Sequence, residues 1–411
     1  MSQSKYPHPG IRGHRSPPSP MRKLSPFAKG AKERGTKVYH LNIGQPDIKS
    51  PQEFFEGVKQ FKAEVVAYEL ARGSELLCKN WSDYMNRSLG LTTTPEQFVI
   101  TNGASEALLL AIGACCDVNE EVVVFNPTYA NYIGIASILE VNLHAVDSRI
   151  EDNFALPPDS EINAAINSKT RAILLCNPNN PTGTIYSREE VTRLLAICHE
   201  RNIFLIVDEA YRDFVYDGAH PFSVYHLAPN DPHVIVIDSL SKRFSLCGAR
   251  IGCVISTNNE LIDATYRMAQ SRLSVSSIDQ FASAYMLERI SDDFGRQVRR
   301  EYQIRRDVLF NGLSKIPGVL AHKPQGAFYT IVALPVDCGE KFAIFMLEKF
   351  NLRGATTFVA PAAGFYIGDE RGKNEVRMAY VLNAGEIEAA LECLAAGLVA
   401  YSAKQNNSKN Y

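Results

Sequence analysis

Seven short apolar segments, separated by stretches of helical periodicity, constrain the fold of this chain more than any other feature. They lie between residues 98 and 255 and read FVIT, EVVVF, VNLHAV, RAILLC, IFLIV, HVIVI and IGCVI. Strands that are apolar on both faces and alternate with helices are typical of a parallel sheet covered on both sides. Helical spacing at residues 104–114 and 187–201 supplies two such helices. The sequence therefore predicts an α/β domain with a mainly parallel seven-stranded sheet.

A change of pattern beyond residue 280 predicts a second, smaller α+β domain. A long charged helix pattern is followed there by scattered strands and by a terminal helix, AGEIEAALECLAAGLVAY. The chain of 411 residues is long enough for two such units. We expect residues 50–290 to form the large domain and residues 291–411 the small domain. Residues 1–49 are expected to form an N-terminal arm and part of the small domain.

The overall composition argues against several classes of partner. The formal net charge is only −2, so no overall field favours nucleic acid or an anionic membrane. No apolar run reaches the roughly 18 residues that a membrane span needs, and the N-terminus has no signal-peptide core. The nine cysteines show neither CxxC spacing nor a small disulfide framework, which is typical of reduced intracellular thiols. We predict a cytoplasmic protein without a metal, membrane or nucleic-acid partner.

The first 32 residues are basic and rich in proline. They contain seven lysines and arginines and no acid, a composition also found in organelle transit peptides. Six prolines oppose the amphipathic helix that a transit peptide must form. We therefore expect an arm that lies over the folded body, with residues 15–35 as a lid over the substrate, and keep targeting as the alternative.

Polar sequences follow five of the apolar segments at the point where each strand ends. In chain order they read NGASEA, NPTYANY, NPNNPTG, DEAYRDF and SLSKRFSLCGARIG. Each has a structural explanation by itself, such as a turn glycine or a helix cap. In open α/β sheets, however, ligands bind beyond the carboxyl ends of the strands. Five polar strand ends at one edge of one sheet therefore predict a ligand site.

Three of these motifs are NPNNPTG, DEAY and SLSKRFSLCGARIG. In this order and spacing they resemble the motifs of the class I and II aminotransferases, fold-type-I enzymes that use pyridoxal 5'-phosphate (PLP). The resemblance extends from HLNIGQPD at residue 40 to EVRMAY at residue 375. It implies a ping-pong aminotransferase whose small-molecule substrates are an amino acid and a 2-oxo acid, and a homodimer with shared active sites. A PLP-dependent lyase or synthase, and a catalytically idle PLP-fold binding protein, stay open as alternatives. The lack of GxGxxG after the first strand argues against a nicotinamide-dependent dehydrogenase.

Lys242, Asp208 and Tyr211 are the candidate catalytic residues. A lysine becomes nucleophilic when burial and a nearby cation disfavour its ammonium form, and Arg250 lies in the same motif. Asp208 ends an apolar strand, where a protonated pyridine nitrogen would provide the partner that a buried carboxylate needs. The resemblance implies that Lys242 forms the cofactor aldimine and then acts as general base. It also implies that Tyr211 and Asn180 bind the 3'-oxygen of PLP.

The phosphate of PLP needs N–H donors and positive charge. The segment from Gly103 through Ala104 to Ser105 opens a predicted helix, whose first N–H groups and dipole can hold an anion. The resemblance adds four residues to the cofactor site. They are Ser239 (with Ser241 as the alternative or a second donor) and Arg250 at the phosphate, Tyr129 stacked on the ring, and Tyr68 reaching the phosphate from the neighbouring subunit. For Tyr68, a plain core tyrosine is the alternative.

A substrate carboxylate calls for a planar bidentate donor. The resemblance assigns the α-carboxylate to Arg377, with Asn180 and Gly44 beside it. Arg272 stands four residues before Ser276, a spacing that resembles the segment inserted from the partner subunit in acid-specific members. An unpaired guanidinium there would favour a dicarboxylate. We therefore expect aspartate or glutamate as donor and 2-oxoglutarate as acceptor, with neutral amino acids as the alternative.

Overall fold

The computed structural model describes residues 10–17, 22–368 and 371–409. Its α-helices are α1 (Ile11–Arg15), α2 (Ser25–Glu33), α3 (Gln52–Gln60), α4 (Glu75–Leu89), α5 (Ala104–Cys115), α6 (Ala130–Leu139), α7 (Asp159–Ala165), α8 (Arg188–Arg201), α9 (Leu240–Arg243), α10 (Asn259–Gln270), α11 (Ser277–Arg289), α12 (Asp292–Leu313), α13 (Gly339–Glu348) and α14 (Ala384–Lys409). Short 3-10 helices span Arg22–Leu24, Pro95–Gln97, Ile150–Asp152, Val224–His226 and Ala362–Phe365.

The strands form one large sheet and two small ones. They are β1 (Lys37–His40), β2 (Phe98–Asn102), β3 (Glu121–Asn126), β4 (Asn142–Asp147), β5 (Thr170–Cys176), β6 (Phe204–Asp208), β7 (Val234–Ser239), β8 (Ile251–Ser256), β9 (Leu320–Ala321), β10 (Tyr329–Ala333), β11 (Ala355–Phe358), β12 (Ala360–Pro361) and β13 (Glu375–Ala379). All seven apolar segments are strands of the large sheet, in the order β2-β8-β7-β6-β5-β3-β4.

The large sheet is parallel except for β8, which runs antiparallel to both β2 and β7. Only 11 residues separate the end of β7 from the start of β8. A parallel crossover needs about a dozen residues or more, so this short connection favours an antiparallel neighbour. The predicted α/β class with a mainly parallel seven-stranded sheet is confirmed.

Helices cover both faces of the large sheet because its central strands are apolar on both sides. In β6, Leu205 and Val207 pack in a core that includes Trp81 of α4 and Leu194 of α8. Ile206, between them, points to the other face and packs in a core with residues of α5 and α6. This alternation follows the two-residue period of a strand. Because helices cover both faces of the sheet, a ligand can reach it at the ends of the strands.

One of the two smaller sheets combines residues from the two ends of the chain. Strand β1 pairs in parallel with β11, and β12, β13, β10 and β9 form an antiparallel sheet in that order. Helices α12 and α14 pack against each other, while α3 packs on α11 beside the large sheet. These contacts support domain boundaries near residues 50 and 290, which stay a prediction.

The N-terminal segment is built into the body of the small domain for much of its length. Helix α2 buries Ala28 and Ala31 and packs against α13, and Lys23 Nζ lies 2.6 Å from Glu340 Oε2. Residues 22–33 are therefore a packed element, and a lid over residues 15–35 stays a prediction. Residues 18–21 lie outside the described residues. Within the described ranges, no helix combines the length and apolar composition that a bilayer span requires.

Candidate active site

One cavity lies at the carboxyl ends of β5, β6 and β7, beside the start of α5 and α6. Nine of the fourteen residues predicted as a ligand site line it. They are Ala104, Ser105, Tyr129, Asn180, Asp208, Tyr211, Ser239, Lys242 and Arg250. Ser241 lines the same cavity, so the choice between it and Ser239 stays open. The strand ends meet here because parallel strands bring all their carboxyl ends to one edge.

Lys242 extends its amine into this cavity from the short helix α9. Ser239 begins that helix, and its hydroxyl accepts a hydrogen bond from Ser241 N at 3.1 Å. The Lys242 Nζ donates to the carbonyl oxygen of Gly44 at 3.0 Å and lies 3.9 Å from Cys247 Sγ. The amine of Lys242 is thus held between the large sheet and the loop that follows β1.

Gly44 is required at its position by close packing. A Cβ added there would lie 1.7 Å from the Tyr329 hydroxyl oxygen. The loop that carries Gly44 is also anchored by an ion pair, in which Arg305 Nη1 lies 2.6 Å from Asp47 Oδ1. The carbonyl that accepts from Lys242 is therefore in a fixed position.

Asp208, at the end of β6, is a buried carboxylate that faces the cavity. Tyr132 donates its hydroxyl to Oδ2 at 2.8 Å, and the Ala210 N–H donates to Oδ1 at 3.1 Å. Burial raises the pKa of Asp208, whereas these two hydrogen bonds lower it. Among the described residues, none forms an ion pair with Asp208 within 4 Å. The carboxylate is therefore suited to a cationic group of a ligand.

The opposite end of the cavity is suited to an anion. Helix α5 starts after Gly103, whose φ is +78°, and its first intrahelical donor is the N–H of Glu106. The N–H groups of Ala104 and Ser105 precede it and belong to the positive end of the helix dipole. Strand β8 runs so close to the start of α5 that a Cβ on Gly252 would lie 2.5 Å from the Gly103 carbonyl carbon.

Arg250 adds a positive charge beside this helix start. Its Nη1 donates to the Cys247 carbonyl at 3.0 Å and its Nη2 to the Asn102 carbonyl at 3.4 Å. These contacts use part of the guanidinium's five N–H groups and orient it along the cavity wall. A dianionic phosphate would meet a helix N-terminus and a guanidinium at the same point.

Arg377 does not line the cavity itself, but it forms a hydrogen bond with Asn180, which does. Its Nη1 donates to Asn180 Oδ1 at 3.2 Å, and its Nη2 donates to the Asn42 carbonyl at 2.9 Å. The guanidinium carbon lies 4.4 Å from the ring centre of Tyr329 and 4.8 Å from that of Phe365. Such stacking and bonding hold a planar cation in one orientation.

Tyr329 is a residue of this region that the sequence analysis missed. Its hydroxyl lies 3.0 Å from that of Tyr211, which in turn accepts from Asn180 Nδ2 at 3.5 Å. Burial raises the pKa of Tyr211 well above its usual value, so its hydroxyl keeps its proton, and either hydroxyl of the Tyr211–Tyr329 pair can be the donor. The only sequence signal was a pair of adjacent aromatic residues in the segment GAFYT, and such residues more often occupy core positions.

A network of buried charges behind the cavity was also missed. Arg212 bonds Glu209 Oε2 at 2.8 Å and Asp238 Oδ2 at 3.0 Å. Arg243, next to Lys242, pairs with Asp238 and with Asp213. Breaking a buried pair leaves an uncompensated charge, so this network strongly constrains the segments that carry Asp208 and Lys242.

Tyr68 and Arg272 lie apart from the cavity of their own chain. Tyr68 is 80% exposed, so its alternative interpretation as a core residue is wrong. Arg272 is not the unpaired guanidinium that the sequence suggested. Its Nε lies 3.2 Å from both carboxylate oxygens of Glu106, and its other nitrogens donate to the carbonyls of Ile100, Ala71 and Leu273. A neighbouring carboxylate already neutralises it, which removes the reason to expect a dicarboxylate there.

The sheet, the lysine-bearing motif and the cavity together define an enzyme of the aminotransferase type. Residues 36–394 match the family model for aminotransferase class I and II, and the chain belongs to this family. It is therefore an aminotransferase.

Its relatives include several with assigned substrates. The chain is 29% identical over 368 residues to an aspartate aminotransferase of Pyrococcus horikoshii, covering 87% of this chain and 91% of the relative. It is 28% identical over 365 residues to the aspartate/prephenate aminotransferase of Thermus thermophilus, covering 88% and 91%.

Solved structures give the same family. A double mutant of the Thermus thermophilus aspartate aminotransferase has a TM-score of 0.87 at 27% identity, with 95% of this chain and 100% of that chain covered. An alanine aminotransferase from Pyrococcus furiosus also has a TM-score of 0.87 at 27% identity, with coverage of 96% and 100%.

Tyr132→Phe is expected to lower kcat/KM about 10- to 100-fold near neutral pH, because a hydrogen bond to an ionised group contributes about 1.5–3 kcal/mol. Without the Tyr132 hydroxyl the pKa of Asp208 rises further, so the acidic limb of the pH–rate profile moves to higher pH. Tyr225→Phe is the control, since it removes a buried hydroxyl that donates to the Ile255 carbonyl. Identical pH profiles for Tyr132→Phe and the unmodified enzyme would show that Asp208 is positioned without Tyr132.

Proposed function

We propose that the cavity binds PLP and that the chain uses it for transamination. The observation that carries the proposal is the position of the Lys242 amine between a buried carboxylate and a helix N-terminus. Asp208 suits a protonated ring nitrogen, and the start of α5 with Arg250 suits a phosphate. Opposite charges at the two ends of one cavity match the opposite charges at the two ends of PLP.

The proposed roles of the lining residues follow from their donors and acceptors. When bound, PLP supplies a carbonyl group that reacts with amines and a ring that withdraws electrons from the substrate Cα. Lys242 Nζ would hold this carbonyl group and, as a free amine, move a proton at the substrate Cα. The other lining residues would bind and orient the cofactor. The phosphate would be held by the N–H groups of Ala104 and Ser105 together with Ser239, Ser241 and Arg250. Tyr129 would lie at the ring face, and Asn180 and Tyr211 would bind the 3'-oxygen.

For the substrate, we propose that Arg377 binds the α-carboxylate beside Asn180 and Gly44. Its fixed orientation supports this role, because a preorganised guanidinium binds a carboxylate with two parallel hydrogen bonds. We further propose aspartate or glutamate as donor and 2-oxoglutarate as acceptor. The names of the relatives from Pyrococcus horikoshii and Thermus thermophilus support this choice.

Neutral amino acids are the second candidate substrates. The ion pair between Arg272 and Glu106 favours them, since it leaves no guanidinium at residue 272 for a distal carboxylate. The similarity to a structure titled alanine aminotransferase points the same way.

The two substrate classes and the lyase alternative are separated by one experiment. With PLP-loaded enzyme, each amino acid alone is expected to give one equivalent of oxo acid per site and then stop, because the amino group stays on the enzyme until an oxo acid accepts it. Continued release of oxo acid or ammonia without an acceptor would assign a lyase. With 2-oxoglutarate present, the highest kcat/KM is expected for aspartate or glutamate, and a higher value for alanine would assign the neutral class.

We also propose a homodimer in which Tyr68 reaches the phosphate site of the second subunit. The segment around Tyr68 supports this, because Val65, Val66 and Leu70 are exposed with it. Sedimentation of the full chain tests the dimer. A cytoplasmic location is proposed because all nine cysteines are unpaired, as expected in a reducing compartment.

A further inference from the structure

Two histidines and an aspartate meet at the edge of the large sheet opposite the active-site cavity. His199 lies in the last turn of α8, and Asp231 and His233 lie in the segment just before β7. The His233 carbonyl accepts from the N–H of Leu205, the second residue of β6. These residues are therefore at the amino ends of β6 and β7. The cavity is at the carboxyl ends, roughly 15 Å away along a five-residue strand. Nothing in the transamination site uses them.

The three side chains present nitrogen and oxygen atoms to one point. His199 Nε2 lies 2.5 Å from Asp231 Oδ2, and His233 Nδ1 lies 3.1 Å from Asp231 Oδ1. One potential ligand atom from each residue lies within 4.8 Å of those of the other two. Zinc binds such atoms at about 2.0–2.2 Å, which places two tetrahedral ligands about 3.4 Å apart. The three atoms of the cluster, within 4.8 Å of one another, are thus close to the spacing of ligands on one ion.

A fourth residue orients one of the histidines for this purpose. His233 Nε2 lies 3.2 Å from Asn202 Oδ1, so the ring can donate its Nε2–H there while Nδ1 points to the cluster. Asn202 is itself held at the end of α8, where its N–H bonds the carbonyls of Cys198 and His199. A histidine that binds a metal through one nitrogen usually donates the other N–H to an oxygen in this way. This contact is independent of the three clustered side chains.

The site is also accessible to an ion, and a backbone hydrogen bond holds its aspartate in place. The side chains of His199 and His233 are 47% and 27% exposed, which leaves room for a water ligand and a path of entry. Asp231 is less exposed, at 13%, and its Oδ1 accepts the His233 N–H at 2.9 Å. Two imidazoles and one carboxylate are a donor set that suits Zn²⁺, with Cu²⁺, Ni²⁺ and Co²⁺ as chemically related ions.

We propose that His199, Asp231 and His233 form a binding site for Zn²⁺, which links the end of α8 to the segment before β7. A metal bound there joins residues that are 32 positions apart in sequence, His199 and Asp231, and leaves the active-site cavity untouched. An ion held by three clustered ligands binds the folded chain more tightly than the unfolded one, so it stabilises the fold by mass action. From the sequence we expected no metal, and these three residues were not among the candidate site residues.

Titration calorimetry of the full, PLP-loaded chain with zinc chloride tests the proposal, after accessible thiols have been alkylated. We expect one Zn²⁺ per chain and a Tm that rises with zinc concentration. His199→Ala and His233→Ala should each weaken binding by at least about 100-fold. Asn202→Ala, which keeps all three ligands, should weaken it by about 10- to 100-fold. His220→Ala changes an exposed histidine outside the cluster and is the matched control.

The proposal is overturned if the unmodified chain binds no zinc, or if His199→Ala and His233→Ala bind it as tightly as His220→Ala does. Should the histidine variants fail to fold, crystals of the unmodified chain soaked in zinc chloride decide the question by anomalous scattering. A peak within about 2.2 Å of the three side chains supports the site. A peak only elsewhere, or none, overturns it. None of these measurements depends on transaminase activity, so they stand apart from the proposed function.

Discussion

Lys242→Ala is expected to lower kcat for transamination by at least about 10⁴-fold. The substitution removes both the amine that would hold the cofactor and the base that would move the proton, and general acid–base catalysis alone contributes about 10²- to 10⁴-fold. Steady-state kinetics with excess PLP measures the loss. Lys341→Ala is the control, because Lys341 pairs with Asp337 at the surface of α13.

Borohydride reduction gives a second measurement at the same residue. In the unmodified enzyme we expect reduction to attach the cofactor permanently to Lys242, as found by peptide mapping, and the Lys242→Ala chain should carry no such label. Label on another lysine, or activity that survives in Lys242→Ala, would mean that the amine in the cavity is not the nucleophile.

Asp208→Asn is expected to lower kcat by about 10²- to 10³-fold, the range typical for removing one preorganised electrostatic contact. The substitution keeps the size of the side chain and removes its charge, so the loss reports on the charge that would pair the ring nitrogen. Asp83→Asn is the control, since Asp83 pairs with Lys79 on an exposed helix face. A kcat close to that of the unmodified enzyme would place the essential carboxylate elsewhere.

The same substitution, Asp208→Asn, should not lower the stability of the cofactor-free chain, although it lowers kcat. Burial raises the pKa of Asp208, so the folded state favours its protonated form. The cost of ionising this carboxylate is absent below its unfolded pKa, grows as the pH rises towards the folded pKa and is complete above it. At neutral pH, Asp208→Asn should therefore leave the Tm unchanged or raise it. A lower Tm would indicate that the loss of activity comes from damage to the fold.

Much of the fold and of the site could be predicted from local patterns in the sequence. A strand that is apolar on both faces must be covered on both sides, so the seven segments specified the sheet. The strand ends then had to meet at one edge, and that is why Asp208, Asn180 and Lys242 share one cavity although they are far apart in the chain.

Other features depended on which distant side chains come close after folding. Tyr329 and Arg377 meet because their strands are adjacent in the small-domain sheet, and Arg272 meets Glu106 across 166 residues. The sequence predicts helix α2 only as part of an arm over the folded body, and its packing partner α13 is more than 300 residues further along the chain.

The sequence by itself determined the class of fold, the edge of the sheet that binds a ligand and most of the residues found there. These follow from periodicity and from the common direction of parallel strands, both of which are local properties of the chain. The tertiary structure alone decided which charges are paired: Arg272 with Glu106, Arg243 with Asp238, and His199 and His233 with Asp231. Pairing depends on the last few ångströms of approach between long side chains, and sequence spacing carries no information about that distance.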